Sequence, residues 1–488
     1  MDWHKELIFA PREAKDVTFL RKLQQKGRVK KIAPKVYTTN LMDSPEEILR
    51  RNLLELLSWR FPGCVVSHRS AQSMRPTEHG NVYVTYSFTK RIVAYPGLIL
   101  NVMNGPKPVS DDIRIGSLNV YISSEYRWIL EVLQPSRADK NGESKGMTQA
   151  DVEHRMEDML NRGGEDALNR FRDKTRQVAA ELQMADEFDR LNTIISALLA
   201  THDSNVLTSE FGKARALGNP VDRNRVRLFE TLHEHLSNMY FPSVAEPYHN
   251  ETEYQLFAFF ESYFSNYIEG TRFEVSEAKQ IVETGVSIPM RREDSHDILA
   301  TYKLLANRQE MNIVPKTENE FIEILRYRHR IMLEGRGNCL PGMFKQRQNQ
   351  AGDTVFVAPD LVEGTLRYGF RYYLTLPSPM AKAIYMMFLC SEVHPFTDGN
   401  GRISRMMMNA ELNAAGQSHI IVPTVFREDY LLALRKLSRN GLPDTYVGVM
   451  ERLHRFSSSI TCSDFESARL FLERTNAFSD AENAHLLF

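Results

Sequence analysis

The chain has 488 residues, 42% of them hydrophobic, so it can bury more than one core, and at ~100 to 200 residues per domain it should hold roughly two to four. A formal net charge of -1 and an isoelectric point near 6.9 exclude a chain that coats nucleic acid or an anionic membrane along its whole length, so charge is read region by region. Cys64, Cys339, Cys390 and Cys462 lack the paired spacing of a zinc site or redox dithiol, and neither a leader pattern at Met1 nor a run of ~20 apolar residues occurs, so a reduced, cytoplasmic protein with no membrane partner is expected.

Residues 1–134 carry strand-like segments at Lys30 to Tyr37, Asn81 to Tyr86 and Leu118 to Ile122, where β-branched and aromatic residues recur; a mixed α/β N-terminal domain is expected. Within it Arg21, Lys22, Lys26, Arg28, Lys30, Lys31 and Lys35 occur with no acidic residue between them, on a predicted helix followed by a short hairpin. A winged helix-turn-helix approaching DNA phosphates is one reading and a solvated basic face is the other. The segment resembles the antitoxin-like winged-helix domains of bacterial toxin-antitoxin systems.

Residues 135–147 are polar, with two glycines and almost nothing apolar, and read as a linker. Beyond it the pattern is helical: Leu168 to Leu182, Phe188 to Ala200 and Arg225 to Leu236 in a 148–250 region, then Glu253 to Glu269 and Glu320 to Leu333, each with apolar residues at three- and four-residue spacing. In the 253–269 helix Phe257, Phe260, Phe264, Tyr267 and Ile268 form the apolar stripe, and Gly270 is the stop residue. That places Glu269 in the last turn, where a carboxylate opposes the helix dipole at ~0.3 to 1 kcal/mol unless a cation neutralises it, so an arginine partner is expected. Ser265, one turn earlier on the same face, can orient it.

Phe344 to Pro359 has the turn residues, Gln346-Arg347-Gln348-Asn349-Gln350-Ala351-Gly352-Asp353, and the β-rich half, Thr354-Val355-Phe356-Val357, of a hairpin. Ser378-Pro379 starts a strongly apolar helix as hydroxyl N-cap and first-position proline, and Pro395 disfavours helical geometry at His394, which therefore sits where that helix ends. Gly399 and Gly401 bracket Asn400 as a candidate phosphate nest, and the helix from Arg402 to Ala415 turns its positive end to the same place. Arg402 and Arg405 sit in that first turn, where the dipole disfavours cations, and a bound polyphosphate would remove the conflict. Asp398 is an anion among phosphate binders, and Mg²⁺ between carboxylate and phosphates would reconcile them. His394, with an ordinary pKa of ~6.5, can take a proton from an attacking hydroxyl near neutral pH.

The run from His394 to Arg405, His-Pro-Phe-Thr-Asp-Gly-Asn-Gly-Arg-Ile-Ser-Arg, resembles the Fic family signature HPFxDGNGRxxR with no departure at a fixed position. The resemblance implies a mainly α protein: an all-α Fic domain at 251–440 with a β-hairpin flap, preceded by the smaller mixed α/β domain and followed by a helical extension at 441–488. It implies AMP transfer from ATP, with Mg²⁺, to a Tyr, Ser or Thr hydroxyl of a protein target, and self-modification. His394 would be the base, Asp398 the metal ligand, and Gly399, Asn400, Gly401, Arg402 and Arg405 the phosphate binders, with Phe396 as a core anchor. The hairpin, through Gln346, Arg347, Gln348, Thr354 and Val355, would pair with the target as an added strand.

Ser265-Asn266-Tyr267-Ile268-Glu269-Gly270 is similar to the family's inhibitory motif, [S/T]xxxE[G/N], which would set Glu269 against Arg405 and block the γ-phosphate. Alternatives are a Fic enzyme transferring phosphate, UMP or phosphocholine, and an ATP-sensing transcriptional regulator or antitoxin. The intact glycines favour AMP over phosphate, and the intact His394 speaks against a mere sensor. A homo-oligomer is left open.

Overall fold

The computed structural model describes residues 3–87, 89–482 and 484–488, and the chain divides into two compact units, Met1–Leu217 and Gly218–Phe488.

The first unit is mixed α/β. Three short strands, β1 (Leu7–Phe9), β2 (Lys30–Ala33) and β3 (Val36–Thr38), form an antiparallel sheet in the order β1-β3-β2, with the helix Ala14–Gln25 between β1 and β2. The expected helix and hairpin are therefore present, but a single helix precedes the hairpin, so no helix-turn-helix pair is formed there. A second sheet runs β6 (Arg91–Tyr95), β7 (Leu98–Asn104), β5 (Asn81–Tyr86), β4 (Cys64–Val66), β9 (Val120–Ile122), β8 (Ile113–Arg114). Its central strands are short and β-branched, and their apolar residues share one core with the helices Glu125–Val132, Gln149–Leu182 and Ala185–Leu198.

The segment 135–147, expected as a linker, lies inside this unit. Glu143 accepts from Asn81 and from the His79 backbone, Asp139 accepts from Asn81 at 3.1 Å, and the Met147 amide donates to the Val132 carbonyl at 3.3 Å. Its polar residues find partners at the start of the interior strand β5, which composition alone cannot show. The division between units falls instead at 217/218, inside the region read as 148–250.

The second unit is helical apart from the hairpin β10 (Gln350–Ala351) and β11 (Thr354–Val355). The helix Pro379–Val393, capped by Ser378 as expected, is buried along nearly its whole length and packs against Asn400–Ala414, Val362–Leu374 and Arg223–Ser237. In this unit the helix positions follow the expected spans within a few residues, with one consequential difference: the helix Glu251–Tyr267 stops two residues before Glu269. Ile268 closes the helix and Gly270 turns the chain at φ +102°, a left-handed value that penalises any side chain there. Glu269 is thereby carried on a turn just past the helix end rather than in its last turn.

Candidate functional site: a cleft beneath the His394 loop

His394 ends the Pro379–Val393 helix, as expected for a residue ahead of proline, and does so in the left-handed region, φ 53°. A non-glycine residue there is strained by ~1 to 3 kcal/mol, and the surroundings hold it. Its ring lies flat on Phe356, centroids 3.7 Å apart and planes 7° from parallel, and Nδ1 faces the Ser391 carbonyl at 3.3 Å. Burial holds the imidazole down to about 4 against the opposing pull of that carbonyl. The ring is thus neutral at neutral pH, and with Nδ1 carrying the proton toward Ser391 the free lone pair is on Nε2.

The loop after His394 is tied from within. Phe396 is fully buried and stacks on His329 at 3.6 Å, and Asn400 closes the turn with two 2.8 Å bonds to the Phe396 amide and carbonyl. His329 is anchored in turn, taking a bond from the Gly342 amide at Nδ1 and donating from Nε2 to the Asp398 carbonyl at 3.0 Å; burial keeps it neutral, its pKa down at about 4. Gly399 caps the Asn400–Ala414 helix, whose first amides have no acceptor within the helix and mark the expected nest.

The two arginines point to different partners. Arg405 donates from Nε to Ser265 Oγ at 3.1 Å, and from Nη2 to the Ser265 carbonyl at 2.9 Å and to Glu269 Oε1 at 2.8 Å. Arg402, as buried as Arg405, meets Asp297 Oδ2 at 2.6 Å and Asn266 Oδ1 at 3.3 Å, and the same Asp297 oxygen accepts from Arg336 Nε at 2.8 Å. Glu269 stands directly over the helix start, since a Cβ added to Gly401 would lie 2.0 Å from Glu269 Oε1. A side chain at 401 would have to displace that carboxylate.

Asp398 is half exposed, with one oxygen held by the Gly399 amide at 2.7 Å and the other 3.6 Å from Arg402 Nη2. Among the described residues no group of three His, Cys, Asp or Glu side chains gathers to cage an ion. One accessible carboxylate beside a phosphate nest fits an ion such as Mg²⁺, which takes one or two carboxylates and completes its shell with water and phosphate oxygens. His394, Glu269, Gly401 and Arg405 open onto one cleft of about 580 Å³, closed on one side by Thr354 and Phe356 and on the other by Arg427, Tyr430 and Arg435.

Residues 321–412 match the Fic/DOC family. The chain carries a Fic domain. "Protein adenylyltransferase Fic" of Drosophila persimilis is 28% identical over 186 residues, 37% of this chain and 36% of that protein. The relative of the same name in Nematostella vectensis is 29% identical over 184 residues, 37% of this chain and 43% of that protein. The chain thus spans well under half the length of these curated relatives. A solved Fic-1 fragment from C. elegans is 17% identical, covering 67% of this chain and 97% of that one, at a TM-score of 0.34.

The expected site residues fall into three groups, one of which, Gly270, Val355, Asp398, Gly399, Asn400 and Arg402, lies outside the lining of the cleft. His394, Gly401, Arg405, Glu269 and Thr354 share the cleft, and Ser265 reaches it through Arg405. Gln346, Arg347 and Gln348 precede the paired strands rather than lying in them; pairing is confined to 350–351 and 354–355. Asp297, Arg336, His329, Lys345 and Phe356 were not singled out in the sequence. Only the β-rich half of the expected hairpin, Thr354-Val355-Phe356-Val357, placed one of them, Phe356, near the site.

Proposed function

We propose that the Fic domain transfers AMP from ATP to a Tyr, Ser or Thr hydroxyl of a protein, and that Glu269 holds the resting chain off. The observation that carries the reading is the placement of His394: its imidazole is stacked under the hairpin on Phe356 and opens on the same cleft as the helix start at Gly401 and as Arg405. The target hydroxyl gives its proton to His394 Nε2 while its oxygen forms the new bond to the α-phosphorus. The bond from that phosphorus to the bridging oxygen breaks, and pyrophosphate leaves. The amides of the Asn400–Ala414 helix start and the Arg405 guanidinium would carry the charge of the chain of phosphates. Asp398 would hold a Mg²⁺ ion, which neutralises phosphate oxygens as charge moves to the leaving group.

Glu269 supports the inhibited state in two ways. Its carboxylate pairs with Arg405, and it stands over Gly401, where an anion belongs at a helix start. ATP must displace a carboxylate that is itself about a third exposed, so the exchange is within reach of a modest change at the turn. In Glu269→Gly, transfer to self or to a lysate protein from labelled ATP should rise, and His394→Ala should abolish it. Unchanged transfer in the glycine variant would remove the inhibitory role, and an added mass other than AMP would overturn the choice of group.

The first unit supports a nucleic-acid partner through one observation. Arg21, Lys22, Lys26, Arg28, Lys31 and Lys35 on the Ala14–Gln25 helix, the turn after it and the β2–β3 hairpin meet no carboxylate within 4.0 Å among the described residues. A salt-dependent gel shift lost on changing Lys31 and Lys35 to Glu tests it.

A further inference from the structure

The geometry points to Arg225, with Lys345 and Asn349, as positioning residues that clamp the β10–β11 hairpin to the chain on both sides of His394. The proposal rests on the AMP-transfer reading only for its effect on rate; the clamp itself is a statement about the hairpin. Arg225 lies in the Arg223–Ser237 helix, outside the 321–412 segment that matches the family. Its Nη1 meets Glu392 Oε1 at 2.6 Å and its Nη2 donates to the Val355 carbonyl, in β11, at 2.6 Å. Glu392 is 5% exposed, stands two residues before His394 and also accepts from Ser438 Oγ at 2.9 Å.

The second contact lies on the other side. Lys345, 3% exposed, donates from Nζ to Asn349 Oδ1 at 2.7 Å, and its amide donates to the Pro395 carbonyl at 2.9 Å. Asn349, immediately before β10, donates to the carbonyl of Phe396, two residues after His394, at 3.0 Å. Between the clamps lies the 3.7 Å stack of Phe356 on the imidazole. The buried Lys345 ammonium is pushed down to about 8 by burial and then by the neighbouring Arg225 charge, which agrees with both cations being held close under the hairpin.

The physical need is plain. A hairpin of two residues per strand has no stability of its own, and a strand that is to receive an extended target must be held in register. Fixing it to the residues that flank His394 makes its edge and the base move as one body, so an incoming hydroxyl is presented at a constant distance from Nε2.

The test uses the full chain carrying Glu269→Gly, with Arg225→Ala, Arg225→Lys and Asn349→Ala added singly. Three readouts are taken: hydrogen exchange of the amides from Ala351 to Phe356, affinity for a fluorescent ATP analogue, and self-modification from labelled ATP. The expected result is faster exchange confined to the hairpin, unchanged analogue affinity, and self-modification lower by roughly tenfold to a hundredfold, the usual effect of an ångström-scale misplacement. Arg225→Lys should recover part of the rate, because an ammonium can keep the Glu392 contact but cannot also reach Val355. If Arg225→Ala does not fold, Asn349→Ala, which leaves every charge in place, decides. Unaltered hairpin exchange in the folded variants, or a loss of analogue affinity matching the loss of transfer, would overturn the clamp. Absence of AMP transfer in the Glu269→Gly parent would instead sink the functional reading, with hairpin exchange still deciding the clamp.

Discussion

Each unit buries an arginine among carboxylates, and the two clusters are finished differently. In the first unit Arg127, fully buried, has an acceptor for every nitrogen: Glu131 at 2.7 Å, Asp112 at 2.6 Å, and the carbonyls of Lys107 and Pro106 at 3.0 and 3.2 Å. The carboxylates are saturated in turn by Ser123, Ser124 and the amides of His68 and Val109. In the Fic domain Arg402 leaves Nε without a partner among the described residues, Asp297 leaves Oδ1 without one, and the chain of contacts continues to a half-exposed Asp398. Buried polar groups are nearly always satisfied, so the closed cluster is what stability alone produces. The open one, beside the cleft, is built with capacity left over.

That contrast can be broken by experiment. The largest effect belongs to the open side: His394→Ala should lower AMP transfer by ~10² to 10⁴-fold, the usual contribution of a general base. On the closed side Arg127→Ala should cost about 3 to 5 kcal/mol, because it strands two buried carboxylates. Trp3, Trp59 and Trp128 all lie in the first unit, so tryptophan fluorescence in urea reports that loss directly.

Asp297→Asn should cost less, about 1.5 to 3 kcal/mol for charged hydrogen bonds, since one Asp297 oxygen is unbonded already; a thermal melt compared with Arg127→Ala tests the ordering. A cost equal to that of Arg127→Ala would erase the distinction between the clusters.

The smallest effect is on pH. Burial holds His68 at about 4, below its ordinary 6.5, so the folded first unit resists a proton that the unfolded chain accepts. Its contribution is whole above pH 6.5 and is lost as pH falls toward 4, at up to about 1.4 kcal/mol per pH unit. The unfolding free energy from urea titrations followed by tryptophan should fall by about 1 kcal/mol between pH 7 and 5.5, and His68→Gln should flatten the difference.

Much of the Fic domain was legible along the chain because its signals are local. Ser378-Pro379 starts a helix, Pro395 ends it at His394, and the dipole argument at Glu269 asked for a cation that the structure supplies as Arg405. The errors were also physical. The 135–147 stretch is largely exposed, as its composition implies, but Asp139 and Glu143 also bond to Asn81, so it is tied into the first unit by partners that composition cannot show. Arg402 and Arg405 are both buried, and only the fold could show that Asp297, remote in sequence, is the partner of Arg402.

The sequence by itself determined which residues can turn, cap, carry a proton or meet an anion, because backbone preferences and side-chain chemistry act over a few residues. Tertiary structure alone decided what each of them faces: Glu269 above Gly401, Phe356 on His394, Arg225 between Glu392 and Val355. Those pairings join segments far apart in the chain, where neither periodicity nor spacing carries information and only packing chooses the partner.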